Sequence, residues 1–276
     1  MLITRTNTDG ERCFTVCIEQ PPLLDSILST STKLTAPDRS VRLPRLIANL
    51  YYGHSPVIDK TPHSSIERIG IDESGKGDYF GPLVIAAVFV DATTQGELTL
   101  MNVRDSKKIS DGRILDMAPD IRMICPHSII TIGPQRYNEL YTKIRNLNRL
   151  LAWGHAKALE TLLDRVSCGR AIADQFGDER LILDALQGKG RTIVLEQRHK
   201  AESDLAVAAA SILARAEFLL RLKRLSEEIG TTLPKGASSA VELAGRMIVK
   251  KHGEGRLGSV AKLHFRTTQA VLGKTD

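Results

Sequence analysis

The sequence predicts an α/β domain built on a mixed sheet, preceded by a small separate N-terminal domain. Three features carry that prediction. Short apolar runs bounded by turn residues recur through the middle of the chain. Long alanine- and leucine-rich stretches with helical spacing are interleaved with them, mostly later in the sequence. Residues 1–65 read differently from everything that follows, and end in a segment rich in Pro, Ser and His that resembles a linker.

Taken in order, RCFTVCIEQ is a strand candidate, PPLLDSILSTS a turn leading into a short helix, and VRLPRLIANLYYG a second structured piece. The linker HSPVIDKTPHSS sets a boundary near 58–66, giving a small domain over 1–62 and a larger one over 66–276. The stretch 69–90, IGIDESGKGDYFGPLVIAAVFV, then supplies a strand, a glycine-rich turn and a second strand. The unbroken apolar run LVIAAVFV fits a central strand covered on both faces. TLMNVRDSKKISD opens a polar loop and a helix start, with Ser110 and Asp111 both usable as caps. ICPHSIITIGP is a further strand, and from Pro134 one long helical segment runs through YNELYTKIRNLNRLLAWGHAKALETLLDRV. RAIADQFG gives a short strand ending in Asp174, and RTIVLEQR another. SDLAVAAASILARAEFLLRLKRLSEEIG is a strong helix, and the remainder forms one or two helices around a Gly-rich turn.

Composition narrows the function classes. A chain that is 42% hydrophobic and 25% charged suits a soluble globular protein, and 276 residues suffice to bury a core. No apolar run reaches the length of a membrane span, and no stretch has the pattern of a signal peptide, so a cytoplasmic protein is expected. A net charge of +6 favours polyanionic partners, and residues 246–276 hold seven Lys or Arg against Glu254 and Asp276. Cys13, Cys17, Cys125 and Cys168 lack the spacing of a zinc site and read as reduced thiols.

The chemistry concentrates around 72–78. Asp72 and Glu73 are adjacent, so a strand period would send them to opposite faces. Gly75 and Gly77 supply an immediate turn, with Lys76 between them and Asp78 after. An acidic pair beside a flexible, amide-rich cationic loop suits a divalent metal on one side and a phosphate on the other. Asp174 ends a strand, where ligands of open α/β sheets commonly sit, and Glu202 and Asp204 flank Ser203 ahead of the alanine-rich helix. Asp204 or Ser203 alone would read as a helix cap. Together, however, three separate element ends present carboxylates, as metal-dependent phosphoryl chemistry requires. A nucleotide-binding P-loop is excluded on spacing, because GKGD lacks the glycine five positions before a GK followed by Ser or Thr.

Read together, these segments resemble the type 2 ribonucleases H, and within them the ribonuclease HIII branch. The resemblance is carried by GIDESGKGDYFGPLV (70–84), DSKK (105–108), NLNRLLAWGHAKALE (146–160), ADQF (173–176), HKAESDLAVAAASILAR (199–215), LPKGAS (233–238) and AKLHF (261–265). It implies a ribonuclease H-like mixed sheet flanked by helices, with a small α+β N-terminal domain like the TATA-binding protein, to which 1–62 is only loosely similar. It also implies endonucleolytic cleavage of the RNA strand of RNA/DNA hybrids with two divalent ions, Mg²⁺ or Mn²⁺, leaving 5′-phosphate and 3′-hydroxyl ends. Asp72, Glu73 and Asp174 match the family's metal-binding carboxylates. Asp204 matches the fourth catalytic acid, with Glu202 as the alternative. Gly75, Lys76 and Gly77 match the turn that approaches the 2′-hydroxyls of the cut strand, and Ser74 and Asp78 fit the HIII form of it. Lys107, in the DSKK segment, stands as a substrate contact. No membrane or protein partner is implied, and a monomer is expected.

Two rivals remain. Cleavage at a single ribonucleotide in DNA, as in the HII branch, would use a C-terminal tyrosine, and no Tyr follows Tyr141. A non-catalytic hybrid-binding protein would be expected to lack the acidic set. Among single residues, Trp153 and His155 read as core anchors. Tyr79 and Phe80 could touch substrate or pack beneath the turn, His199 could assist proton transfer, and Lys235, Lys262, His264 and Arg266 read as backbone or structural contacts.

Overall fold

The computed structural model describes residues 66–178 and 180–274, and the backbone of two short strands, β1 (Arg5–Thr6) and β2 (Arg12–Cys13), which pair antiparallel. The chain divides into two compact units, Met1–Asp59 and Lys60–Asp276. The expectations for a TATA-binding-protein-like domain, for the linker and for the helix and second structured piece before it lie outside the described residues.

The larger unit is built on five strands in the order β5-β4-β3-β6-β7. These are β3 (Arg68–Ser74), β4 (Leu83–Val90), β5 (His127–Ile132), β6 (Arg170–Asp174) and β7 (Val194–Arg198). β4 runs antiparallel to both β3 and β5, whereas β3, β6 and β7 are parallel, so the sheet is mixed. β4 occupies the residues of the apolar run LVIAAVFV and is buried on both faces.

Helices cover each face. On one side α4 (Leu147–Leu163) packs Leu151 and Leu159 against Ile69, Ile71, Ile85 and Ala87. On the other, α6 (Leu205–Ile229) sets its alanines against Val84, Ala86 and Val88. Small residues are needed there. A Cβ on Gly70 would lie 2.1 Å from the carbonyl carbon of Ala206, so helix and strand backbones are nearly in contact. The stack is completed by α2 (Asp111–Ile124), α7 (Ser239–His252) and α8 (Thr267–Val271) on the α6 side, and by α3 (Pro134–Ile144) and α5 (Arg180–Ala185) on the α4 side.

Besides α5, which the sequence reading leaves unassigned, two features depart from it. The long helical segment from Pro134 is two helices: Arg145 turns left-handed at φ 51°, and Asn146 caps α4 by accepting from the Arg149 amide. The Asn cap competes with continuation of the helix, and periodicity alone does not register it. A helix not anticipated, α1 (Ala92–Leu100), follows β4. Its threonines and glycine hide it from propensity, but Asp91 and Thr94 form a reciprocal capping box that fixes its start.

Candidate active site

The parallel pairing of β3 with β6 aligns Ile71 with Ala173, so Asp72 and Asp174 follow as neighbours at the same end of the sheet. Asp72 lies on the α6 face of β3 and Glu73 on the α4 face, as strand alternation requires. Both matter because the strand stops one residue later, at Ser74, and the chain turns at Gly75 with φ +88°.

Each carboxylate has distinct surroundings. The Asp72 carboxyl accepts the Glu73 amide at 2.8 Å. Burial, the Glu73 charge and the Asp174 charge hold it well above the usual carboxylate range, against the pull of that amide and of Lys107. Glu73 is 11% exposed and keeps its charge. Burial opposes ionisation, but His155 and Lys76 outweigh it and lower its pKa. His155, fully buried on α4, lies with Nε2 3.0 Å from Glu73 Oε2. A carboxylate only accepts, so Nε2 carries the proton and donates. The Lys76 ammonium sits 3.5 Å from Glu73 Oε1 and 5.6 Å from the Phe176 ring centroid. Asp174 Oδ1 accepts the Ala201 amide at 3.3 Å.

The two candidates for the fourth acid part company. Asp204 caps α6 by accepting the Ala206 amide at 2.8 Å, and both of its oxygens also accept from Arg68 Nε. Arg198 lies 3.6 Å away. Glu202, half-buried, stands on the short turn whose Ala201 amide touches Asp174.

Lys107 is exposed on the DSKK segment and near enough to act on Asp72. That segment is anchored by Asp105, which accepts the Lys107 amide, and by the Ser106 amide donating to Ser211 on α6. Asp111 accepts from both Arg215 and Lys235, joining the start of α2 to α6 and to the loop before α7.

Beyond Gly75, the turn is shaped mostly from outside. The Tyr79 amide donates to the Gly236 carbonyl at 2.9 Å, and the Gly236 amide to Asp78 Oδ1 at 2.6 Å. Lys262, fully buried, donates from Nζ to the carbonyls of Asp78 at 2.7 Å, Gly81 at 2.8 Å and Phe80 at 3.4 Å. Tyr79 and Phe80 are both buried, so they pack beneath the turn.

Several single residues differ from their sequence reading. Trp153 is no core anchor: it is 42% exposed on α4. It lies about 200° around the helix from Leu151, opposite the apolar stripe, so helical spacing turns it outward whatever its residue type suggests. His155 is in the core, yet it also braces Glu73, a role its position on an apolar helix concealed. His199 is exposed beyond β7. Lys235 and Lys262 make structural contacts, as expected, and His264 lies among the rings of Tyr137, Tyr141 and Phe265.

Among the described residues, no three His, Cys, Asp or Glu side chains are drawn together into a finished ion cage. The donor chemistry nevertheless fits a hard divalent cation. The acids are oxygen-only ligands, and burial together with the Glu73 and Asp174 charges disfavours ionisation of Asp72 until a cation offsets them.

Comparison with known proteins places the chain among relatives. The family model described as Ribonuclease HII matches residues 69–268. A ribonuclease HIII of Protochlamydia amoebophila (strain UWE25) is 49% identical over 232 residues, covering 84% of this chain and 75% of that protein. A crystal structure of Bst-RNase HIII in complex with Mn²⁺ superposes with a TM-score of 0.71 at 33% identity, covering 83% of this chain and 80% of the other. Aquifex aeolicus RNase H3 gives 0.60 at 30% identity, with 72% of each chain covered.

Proposed function

This chain belongs to the ribonuclease HII family, in its ribonuclease HIII branch, and on that premise we propose how its residues carry out the reaction. It is a ribonuclease H that hydrolyses RNA in RNA/DNA hybrids. The observation that carries the assignment of the site is the placement of Asp72, Glu73 and Asp174 at the same end of two paired strands, directly before the left-handed turn at Gly75.

Asp72, Glu73 and Asp174 would hold two divalent ions, Mg²⁺ or Mn²⁺. When bound, these supply Lewis-acid stabilisation of charge on the scissile phosphate and acidify the attacking water. The protein's own groups do the rest. Asp72 gives up its proton as the site fills, because a bound cation offsets the burial and the Glu73 and Asp174 charges that raise its pKa. His155 fixes the orientation of Glu73 from the protein side, leaving Oε1 towards Lys76 and the substrate. The exposed Lys107 meets a phosphate of the bound strand, and Lys76 is free to exchange Glu73 for another. The amides and carbonyls of the 75–77 turn, with Ser74 at its root, come close to the ribose and test for the 2′-hydroxyl, a shape-based readout tolerant of sequence. The products are a 5′-phosphate and a 3′-hydroxyl.

The fourth acid comes from 202–204. Asp204 is the family-like position but would have to leave Arg68, whereas Glu202 follows Ala201, whose amide donates to Asp174. No helix among the described residues is long and apolar enough to cross a membrane, and we take the enzyme to be a cytoplasmic monomer with residues 1–62 as a substrate-binding domain.

Asp72→Asn tests the mechanism: cleavage of a uniformly labelled hybrid should be lost while hybrid binding persists, and turnover retained with Mg²⁺ or Mn²⁺ would sink it. Running the hybrid beside a duplex with one embedded ribonucleotide separates this activity from HII-like specificity. Preference for the latter would overturn the HIII reading.

A further inference from the structure

The turn that follows the catalytic carboxylates makes little use of its own hydrogen bonds. Its internal main-chain contact, from the Asp78 amide to the Gly75 carbonyl, is long at 3.4 Å. Its shape is instead set by two distant segments, the loop at Gly236 and residues 260–262. The Gly81 amide donates to the Val260 carbonyl, and the Lys262 amide to the Tyr79 carbonyl, both at 2.9 Å. At the centre of this arrangement lies the Lys262 ammonium.

Its placement is unusual for a lysine. It is fully buried, with no carboxylate within ion-pair distance among the described residues, and the Tyr137 ring centroid is 5.8 Å from Nζ. Burying an ammonium costs far more than burying a methionine or leucine of similar volume, so packing alone does not explain it. What an apolar side chain could not supply is three donors. The ammonium has three N–H bonds and faces three carbonyls, at Asp78, Phe80 and Gly81, so donor number and acceptor number match. The Asp78 carbonyl lies one residue beyond Gly77, on the limb of the turn that faces solvent. Asp78 is held at both ends, its carbonyl by Lys262 and its carboxylate by the Gly236 amide.

We infer that Lys262 is a positioning residue for ribonucleotide recognition: through the carbonyls of Asp78, Phe80 and Gly81 it fixes the height and tilt of the glycine turn, and so selectivity for the 2′-hydroxyl. The inference rests on the reading of that turn given under Proposed function. Lys262 is remote from the carboxylates in its bonding, so ion binding is not its task. The Asp78 side chain and Gly236 form the second half of the same clamp.

The test uses the full chain with Lys262→Met, Asp78→Ala and, as a packing control from the same region, Leu257→Ala, which removes a buried side chain that bonds nothing in the turn. Two quantities are measured for each: the thermal melt, and the ratio of affinities for an RNA/DNA hybrid and a DNA duplex of the same sequence, without divalent ions. Lys262→Met and Asp78→Ala should melt cooperatively and lose about 10- to 100-fold of the hybrid preference, the scale of a small misplacement of a recognition element. Leu257→Ala should lower the melting temperature and keep the preference. If both turn variants keep the preference, or if Leu257→Ala loses it in step with its melting temperature, the inference is overturned. Should Lys262→Met not fold, Asp78→Ala decides alone by the same ratio. Wild-type protein that cleaves hybrid while the variants retain its preference sinks only this inference. Wild-type protein that neither prefers nor cleaves hybrid sinks the function reading and the inference with it.

Discussion

Replacing the two glycines of the turn separates recognition from folding. A Cβ on Gly77 would have nothing within 4 Å, its φ is not left-handed, and the residue is exposed. Gly77→Ala should therefore leave stability unchanged or raise it by about 0.4–1 kcal/mol, because alanine narrows the unfolded ensemble. If the bare backbone at 77 lies against a ribose, the added methyl intrudes into that contact. Overpacking of that kind costs about 1–3 kcal/mol, which becomes a loss of about 5- to 150-fold in kcat/KM on an RNA/DNA hybrid. Gly75→Ala is a different experiment. Its Cβ would lie 2.1 Å from the Pro82 carbonyl oxygen and 2.9 Å from Phe218 Cδ2, at φ +88°. The left-handed backbone costs about 1–2 kcal/mol and the forced shift about as much again, a large share of a typical total of about 5–15 kcal/mol. The two glycines, alike in sequence, are thus a folding residue and a recognition residue. Urea melts beside initial rates on labelled hybrid measure both quantities. Full hybrid cleavage by Gly77→Ala would refute the close approach at 77, and an unchanged midpoint for Gly75→Ala would refute the packing argument.

Other outcomes follow from the site. His155→Leu should lower cleavage by about 10- to 100-fold with a smaller effect on hybrid binding, since it removes the hydrogen bond that orients Glu73; rates within twofold of wild type would remove His155 from the site. Glu202→Gln and Asp204→Asn distinguish the fourth acid. Asp204→Asn should cost about 3 kcal/mol in a denaturant melt, by leaving Arg68 buried without its anion, whatever its effect on rate. A Glu202→Gln enzyme of full activity would assign the role to Asp204. Away from the site, burial pushes the Glu217 carboxyl up, but hydrogen bonds from Arg221 and Arg122 prevail and hold it below its ordinary range. A depressed folded pKa contributes stability that is present above the ordinary carboxylate range and lost as pH falls through the folded value. Glu217→Gln should therefore be destabilised by about 1 kcal/mol at pH 7, with the gap to wild type closing in acid melts; a gap independent of pH would contradict the ion-pair account.

The sequence by itself determined the elements whose pattern is local. LVIAAVFV had to be a doubly buried strand because every residue is apolar, and β4 has those bounds. The alanine-rich stretch after Asp204 had to be a helix; that its small residues allow the close approach to Gly70 came from the structure. The carboxylates at element ends were equally visible, as was the order of motifs that marks the family. Where local signals compete, the sequence misled: Asn146 broke a helix that apolar spacing extended, and Trp153 fell on the outer face of α4.

Tertiary structure alone decided which polar groups meet. Strand pairing set Asp72 beside Asp174 across a hundred residues of chain. Packing of helices and loops on that sheet carried His155 to Glu73, turned Asp204 towards Arg68, and placed the Lys262 ammonium under a turn more than 180 residues earlier. Hydrogen bonds act over about 3 Å and are indifferent to sequence separation, so their partners emerge only once the hydrophobic pattern has folded the chain around them.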